Sequence, residues 1–206
     1  MNEYPKINTV YKRSPDGRLA VGQFSHPAFE YLRGNPWLCC EKVDGMNIRV
    51  IWQRGAVRFA GRTDAAQLPP LLVARLTERF SAPAFASTFA PPTTGVCLYG
   101  EGYGARIQKG GGNYKPDGVD FVLFDVWVDG WWLERDAMVD VAERLGRIPC
   151  VPTLWIGSLD DAIGLTRAGI TSTWGAFQAE GLVMRPAVSL CDRYGHRIIT
   201  KIKTRD

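Results

Sequence analysis

MNIRVIWQRGAVRFAG, residues 46–61, is the stretch from which the fold class follows. β-Branched and aromatic residues crowd both sides of Arg54-Gly55, the pattern of two strands joined by a tight glycine turn. Further along, GVCLYGEG (95–102) and VDFVLFDVWV (119–128) read as strands, the second so continuously apolar that burial on both faces is expected. Between hairpin and strands, PPLLVARLTERF (69–80) opens with proline and offers Leu72, Val73, Leu76 and Phe80 as the apolar stripe of a helix that Pro83 is expected to end. ERDAMVDVAERLG (134–146) places Met138, Val141 and Leu145 at helical spacing and closes on Gly146, and DDAIGLTRAG (160–169) reads as a shorter helix. GLVMRP (181–186) and RIITKIKTR (197–205) read as strands again, and Asp129-Gly130 as a turn. Strands and helices in this order, without an internal repeat, predict an α+β chain whose residues 1–206 form one domain.

Composition agrees with an ordinary globular protein: 206 residues, 46% apolar and 22% charged, with 22 glycines and 13 prolines. A chain of this length buries about 70% of its unfolded surface and needs no disulfide or metal staple. The five cysteines are odd in number, Cys39 and Cys40 are adjacent, and no C-x-x-C pair occurs, so neither a disulfide framework nor a zinc site is indicated. No signal-peptide apolar region opens the chain and no run of 18 apolar residues occurs, so a cytoplasmic protein is expected. Net charge is +4, and residues 185–206 carry six lysines and arginines against Asp192 and Asp206. That end either attracts phosphates or is a solvated basic tail.

Candidate chemistry begins at EKVDGMN (41–47), where Lys42 lies between two carboxylates. An amine can attack phosphorus once deprotonated, which nearby cations or desolvation favour. In ITKIKTRD (199–206) the strand period puts Lys201, Lys203 and Arg205 on one face, a pattern that suits a polyphosphate and equally a lysine-protected sheet edge. Glu101, Asp125 and Glu180 stand at apolar strand positions, where a carboxylate is costly to bury unless paired or metal-bound. Phe121, Phe124 and Trp127 serve either as core or as a base platform. The loop YGARIQKGGGNYKPDG (103–118) holds five glycines, suited to mobility, to close approach of a ligand or to a plain linker, and contains no G-x-x-x-x-G-K-[ST] cradle. His26 and His196 stand alone and receive no role.

Taken in order, EKVDGMN (41–47), GRT (61–63), YGEG (99–102), FVLFDVW (121–127), EGLVMRP (180–186) and KIK (201–203) resemble the motifs of the covalent nucleotidyltransferase superfamily, which includes ATP-dependent polynucleotide ligases and mRNA capping enzymes. Asn47, where DNA ligases and capping enzymes usually carry arginine, and GARIQK (104–109) are similar to the RNA ligase 2 group. The resemblance implies a nucleotidyltransferase domain, ATP-grasp-like, of antiparallel sheets with flanking helices and no C-terminal oligonucleotide-binding (OB) domain. It implies that Lys42 attacks the α-phosphate of ATP and carries AMP, and that Lys201 and Lys203 bind that phosphate. Phe124 would stack on adenine, the backbone around Glu41 would read its edge, and Asn47, Arg62, Glu101 and Glu180 would complete the nucleotide site. Asp44, Glu101 and Glu180 would hold the water shell of Mg2+ or Mn2+. AMP would pass to the 5′-phosphate of an RNA end or nicked duplex, for attack by a 3′-hydroxyl. End recognition would fall to the basic surface, the N-terminal 35 residues or a partner in trans. The alternatives are a minimal DNA ligase, a capping-type guanylyltransferase, and a non-catalytic nucleic-acid-binding domain.

Overall fold

The structure, a computed structural model, describes residues 3–89, 93 and 95–206. It divides into two compact units, one of Asp44–Val151 with the N-terminal residues through Tyr4, the other of Pro5–Val43 with Pro152–Asp206.

The first unit is built on the hairpin read from 46–61. Strands β5 (Met46–Gln53) and β6 (Ala56–Gly61) are joined by Arg54 and Gly55, both at positive φ (52° and 76°), the backbone that a two-residue turn between twisted strands requires. They continue a five-stranded antiparallel sheet in the order β6-β5-β7-β8-β9, with β7 at Val96–Gly104, β8 at Val119–Val128 and β9 at Trp131–Trp132. One face of the sheet, from Ile48, Val50, Leu98, Phe121 and Leu123, is sealed by helices α2 (Pro70–Arg79) and α5 (Arg135–Arg144), which contribute Leu72, Leu76, Met138 and Val141 to one apolar cluster. Pro83 does not simply end α2: the break falls at the extended Phe80, and Pro83 lies in the first turn of a further helix, α3 (Ala82–Thr88), capped by Ser81. The glycine-rich loop includes a short helix, α4 (Gly111–Tyr114), and its glycines let the chain meet itself. A Cβ on Gly111 would collide with the carbonyl of Gly104, and Tyr103 and Tyr114 are buried.

The second unit holds a five-stranded sheet in the order β1-β12-β11-β4-β10, formed by Asn8–Thr9, Thr200–Lys203, Gly181–Pro186, Trp37–Glu41 and Thr153–Gly157. Three pairs are antiparallel, while β1 runs parallel to β12, so the expectation of antiparallel sheets holds except at that edge. A two-stranded ribbon, β2 (Tyr11–Arg13) with β3 (Leu19–Phe24), and helices α1 (Pro27–Tyr31) and α6 (Leu159–Ala168) complete it. Trp37, Cys39, Leu159, Ile163, Met184 and Ile202 form its core. The strand expected over 197–205 is shorter, because Arg197 bridges Cys191 and a turn takes Thr204 and Arg205. Among the described residues no helix is long and apolar enough to cross a membrane.

Candidate active site

In the second unit Lys42 lies just beyond the end of β4, its amide donating to the carbonyl of Gly181 (2.9 Å). Glu180 immediately precedes β11, and Lys203 closes β12 opposite Gly181. Adjacent antiparallel strand ends thus converge three charged side chains: Lys42 Nζ donates to Glu180 Oε2 at 2.5 Å, and Lys203 Nζ lies 2.6 Å from Oε1. Burial pushes the Glu180 carboxyl up, but the charge and hydrogen bonds of the two lysines outweigh it and hold the group below the usual carboxylate range. Gly181 is what permits the approach: at φ 151° its absent Cβ would strike the Ile202 carbonyl and lie 2.7 Å from Lys203 Cα. Lys201 emerges on the same face of β12 as Lys203, while Thr200 and Ile202 are buried on the other.

Glu41, one residue before Lys42, is 2% exposed. Its carboxylate accepts from Ser172 Oγ (2.6 Å) and from the amide and hydroxyl of Thr173 (2.9 Å each). These bonds fix the strand end that carries Lys42, so a contact of Glu41 with a nucleotide would be made by its backbone. Nothing in the local sequence marks Ser172 and Thr173 for this task, because they lie more than 130 residues away.

The first unit carries the remaining candidates: Asn47, Glu101 and Phe124 within its sheet, Asp44 just before β5 and Arg62 just after β6. Asn47 on β5 stands directly opposite Glu101 on β7, and the buried Asn47 Oδ1 accepts no hydrogen bond among the described residues. Such an atom costs about 1–3 kcal/mol unless a ligand satisfies it. Asp44 Oδ2 accepts from the amide of Gly110 in the glycine-rich loop (3.0 Å). In β8 the register slips, Tyr99 facing Asp125 and Gly100 facing Leu123, so that Phe124 has no opposite residue. This bulge reverses the side-chain alternation. Phe121 and Leu123 are core, whereas half-buried Phe124 lies against Tyr4, with ring centroids 5.0 Å apart. Asp125 is buried and accepts from Tyr4 Oη at 2.8 Å, a partner that explains its place in an apolar strand. Arg62 is exposed just past the end of β6. Among the described residues no three of His, Cys, Asp and Glu gather closely enough to enclose an ion.

A sequence profile of the RNA ligase family matches residues 35–203, most of the chain. The chain belongs to the RNA ligase family. Solved structures resembling this family member include the Naegleria gruberi RNA ligase as an apo variant (TM-score 0.67, 18% identity, covering 100% of this chain and 58% of that one). They also include a variant of that ligase with ATP and Mn (0.67, 17%, 98% and 61%) and the ligase with PPi (0.66, 19%, 98% and 62%). At this identity the likeness is one of fold, and the RNA ligase family member described here spans about three fifths of those chains. No curated protein matches the chain.

Proposed function

We propose that the chain is an ATP-dependent RNA ligase, its residues 1–206 acting as one nucleotidyltransferase domain that joins a 5′-phosphate to a 3′-hydroxyl through lysyl-AMP. The observation that carries it is the Lys42–Glu180–Lys203 constellation in a chain of the RNA ligase family. An amine nucleophile with a second ammonium beside it is what attack on a polyphosphate calls for. The Naegleria ligase structures with ATP and Mn and with AMP and Mn support the nucleotide and the ion.

Lys42 Nζ, once its proton has gone by way of Glu180 to solvent, attacks the α-phosphorus of ATP. A P–N bond forms, the bond to the β-phosphate oxygen breaks, and pyrophosphate leaves. Lys201 and Lys203 offset the charge that gathers on the α-phosphate oxygens. Asn47 Oδ1 accepts from a ribose hydroxyl, Glu101 and Arg62 contact the ribose and phosphates, Phe124 stacks on the base and the backbone at Glu41 reads its edge. Asp44 and Glu101 in the first unit and Glu180 in the second are the carboxylates that the family resemblance assigns to hydrated Mg2+ or Mn2+; carboxylate oxygens suit such a hard cation, which would neutralise phosphate charge. The RNA 5′-phosphate then attacks the adenylate phosphorus, breaking the P–N bond. The 3′-hydroxyl next attacks the activated 5′-phosphate, AMP leaves, and a phosphodiester remains. Capture of the strand falls to the chain's own basic surface or to a partner in trans.

The test is sealing of a 5′-phosphorylated RNA, single-stranded or nicked, with ATP and a divalent ion. A joined product that requires ATP is expected. Joining of DNA alone, or use of GTP in place of ATP, would replace this reading with a DNA ligase or a capping-type enzyme.

A further inference from the structure

β1 brings the N-terminal segment alongside the C-terminal strand: Asn8 pairs with Thr200, Thr9 with Lys201, and the Val10 amide donates to the Lys201 carbonyl at 2.9 Å. Residues nearly two hundred positions apart thereby line one cavity of about 580 Å3, whose cations are Lys6, Lys12, Arg13, Lys201, Lys203 and Arg205. The one carboxylate in the lining, Asp206, is already engaged: Oδ1 accepts from Arg13 at 2.8 Å and Oδ2 from the Lys203 amide at 3.1 Å. Arg13 also donates to the Gly17 carbonyl (2.7 Å), which holds its guanidinium in place. Lys6, Lys12 and Arg205 are exposed and, among the described residues, have no carboxylate partner. Lys6, Lys12 and Arg205, like charges held at one concave surface without a carboxylate partner among the described residues, repel one another, and an anion relieves that cost. The volume falls in the range of roughly 300–1,000 Å3 that holds ligands larger than one phosphate.

We infer that this cavity binds the phosphodiester backbone of the RNA strand next to its reacting end. The inference rests on the ligase reading, because the cavity shares Lys201 and Lys203 with the nucleotide site proposed above and continues from them to Lys6, Lys12 and Arg205. Contacts of this kind position a strand without reading its sequence.

The experiment compares wild type with the triple variant Lys6→Ala, Lys12→Ala, Arg205→Ala. Fluorescence anisotropy of a labelled 5′-phosphorylated single-stranded RNA is followed against salt without ATP, and adduct formation with ATP is followed separately by intact mass. Expected are unchanged lysyl adenylation, RNA affinity weaker by roughly tenfold or more, and a slope of log K against log salt smaller by about 2, from about 0.7 per phosphate contact on a single strand. The charge-reversed set Lys6→Glu, Lys12→Glu, Arg205→Glu should weaken binding further with an unchanged melting temperature. Unchanged affinity and slope in both variants would overturn the inference, and so would loss of adenylation with RNA binding intact, which would assign the cavity to the triphosphate tail of ATP. Failure of wild type to form an adduct would instead refute the ligase reading, and the anisotropy, measured without ATP, would still decide the cavity.

Discussion

Replacing Glu180 by Gln keeps the side chain's shape and removes the charge that two ammonium groups share. Lys42, Glu180 and Lys203 have side chains 20%, 16% and 20% exposed. Removing one partner of a fully buried ion pair costs about 3–5 kcal/mol, and an exposed pair is worth about 0–1 kcal/mol, so this partly screened bridge should be worth about 2 kcal/mol. For a chain of this size that lowers the melting temperature by about 4–8 °C at pH 7. The pH dependence has a definite sign. Although burial raises the Glu180 carboxyl, the lysines bring it below its ordinary value of 4.5, so the folded state binds its proton less readily than the unfolded state. Its contribution is complete above about pH 4.5 and disappears as the pH falls through the lowered folded value. Melting curves of wild type and Glu180→Gln should therefore differ by a constant interval from pH 6 to 8 and converge in acid. Equal melting at pH 7, or a gap that persists when wild-type Glu180 is protonated, would refute the bridge as the organiser of these strand ends.

Glu41→Ala should destabilise the protein by about 3 kcal/mol in urea titration, because Ser172 and Thr173 lose a buried charged acceptor, and Glu41→Gln should cost less. Asn47→Ala should not lower the melting temperature, since the buried oxygen it removes has no partner among the described residues and is costly in the free protein, yet it should raise the ATP concentration needed for half-maximal adenylation by roughly tenfold. Leu76→Ala, at a fully buried position of α2, should cost about 2–5 kcal/mol in the same urea titration.

Local pattern carried much of this architecture. The hairpin at 46–61 and the strands at 119–128 and 181–186 were legible to the residue, since β-branched runs stop at Arg54-Gly55, Asp129-Gly130 and Pro186. β4 was not, because WLCCE offers no β-branched residue and its burial comes from strands contributed by distant sequence. The six motifs drew attention to Lys42, Glu180 and Lys203, but their convergence on one carboxylate depends on pairing across more than 130 residues. The Phe124 bulge is equally invisible, as it arises from register with β7 and not from the composition of β8. The basic character of the C-terminal strand could be read directly, whereas its partnership with Lys6 and Lys12 could not, because a parallel edge between chain ends leaves no local trace.

The central claim, that Lys42 is the nucleophile, is tested most directly by intact mass after incubation with ATP and a divalent ion, for wild type and Lys42→Ala. A gain of about 329 Da in wild type alone, one AMP in a phosphoramide linkage to lysine, is the predicted result. An adduct of the same mass on Lys42→Ala, or none on wild type first shown to be free of bound AMP, would contradict it.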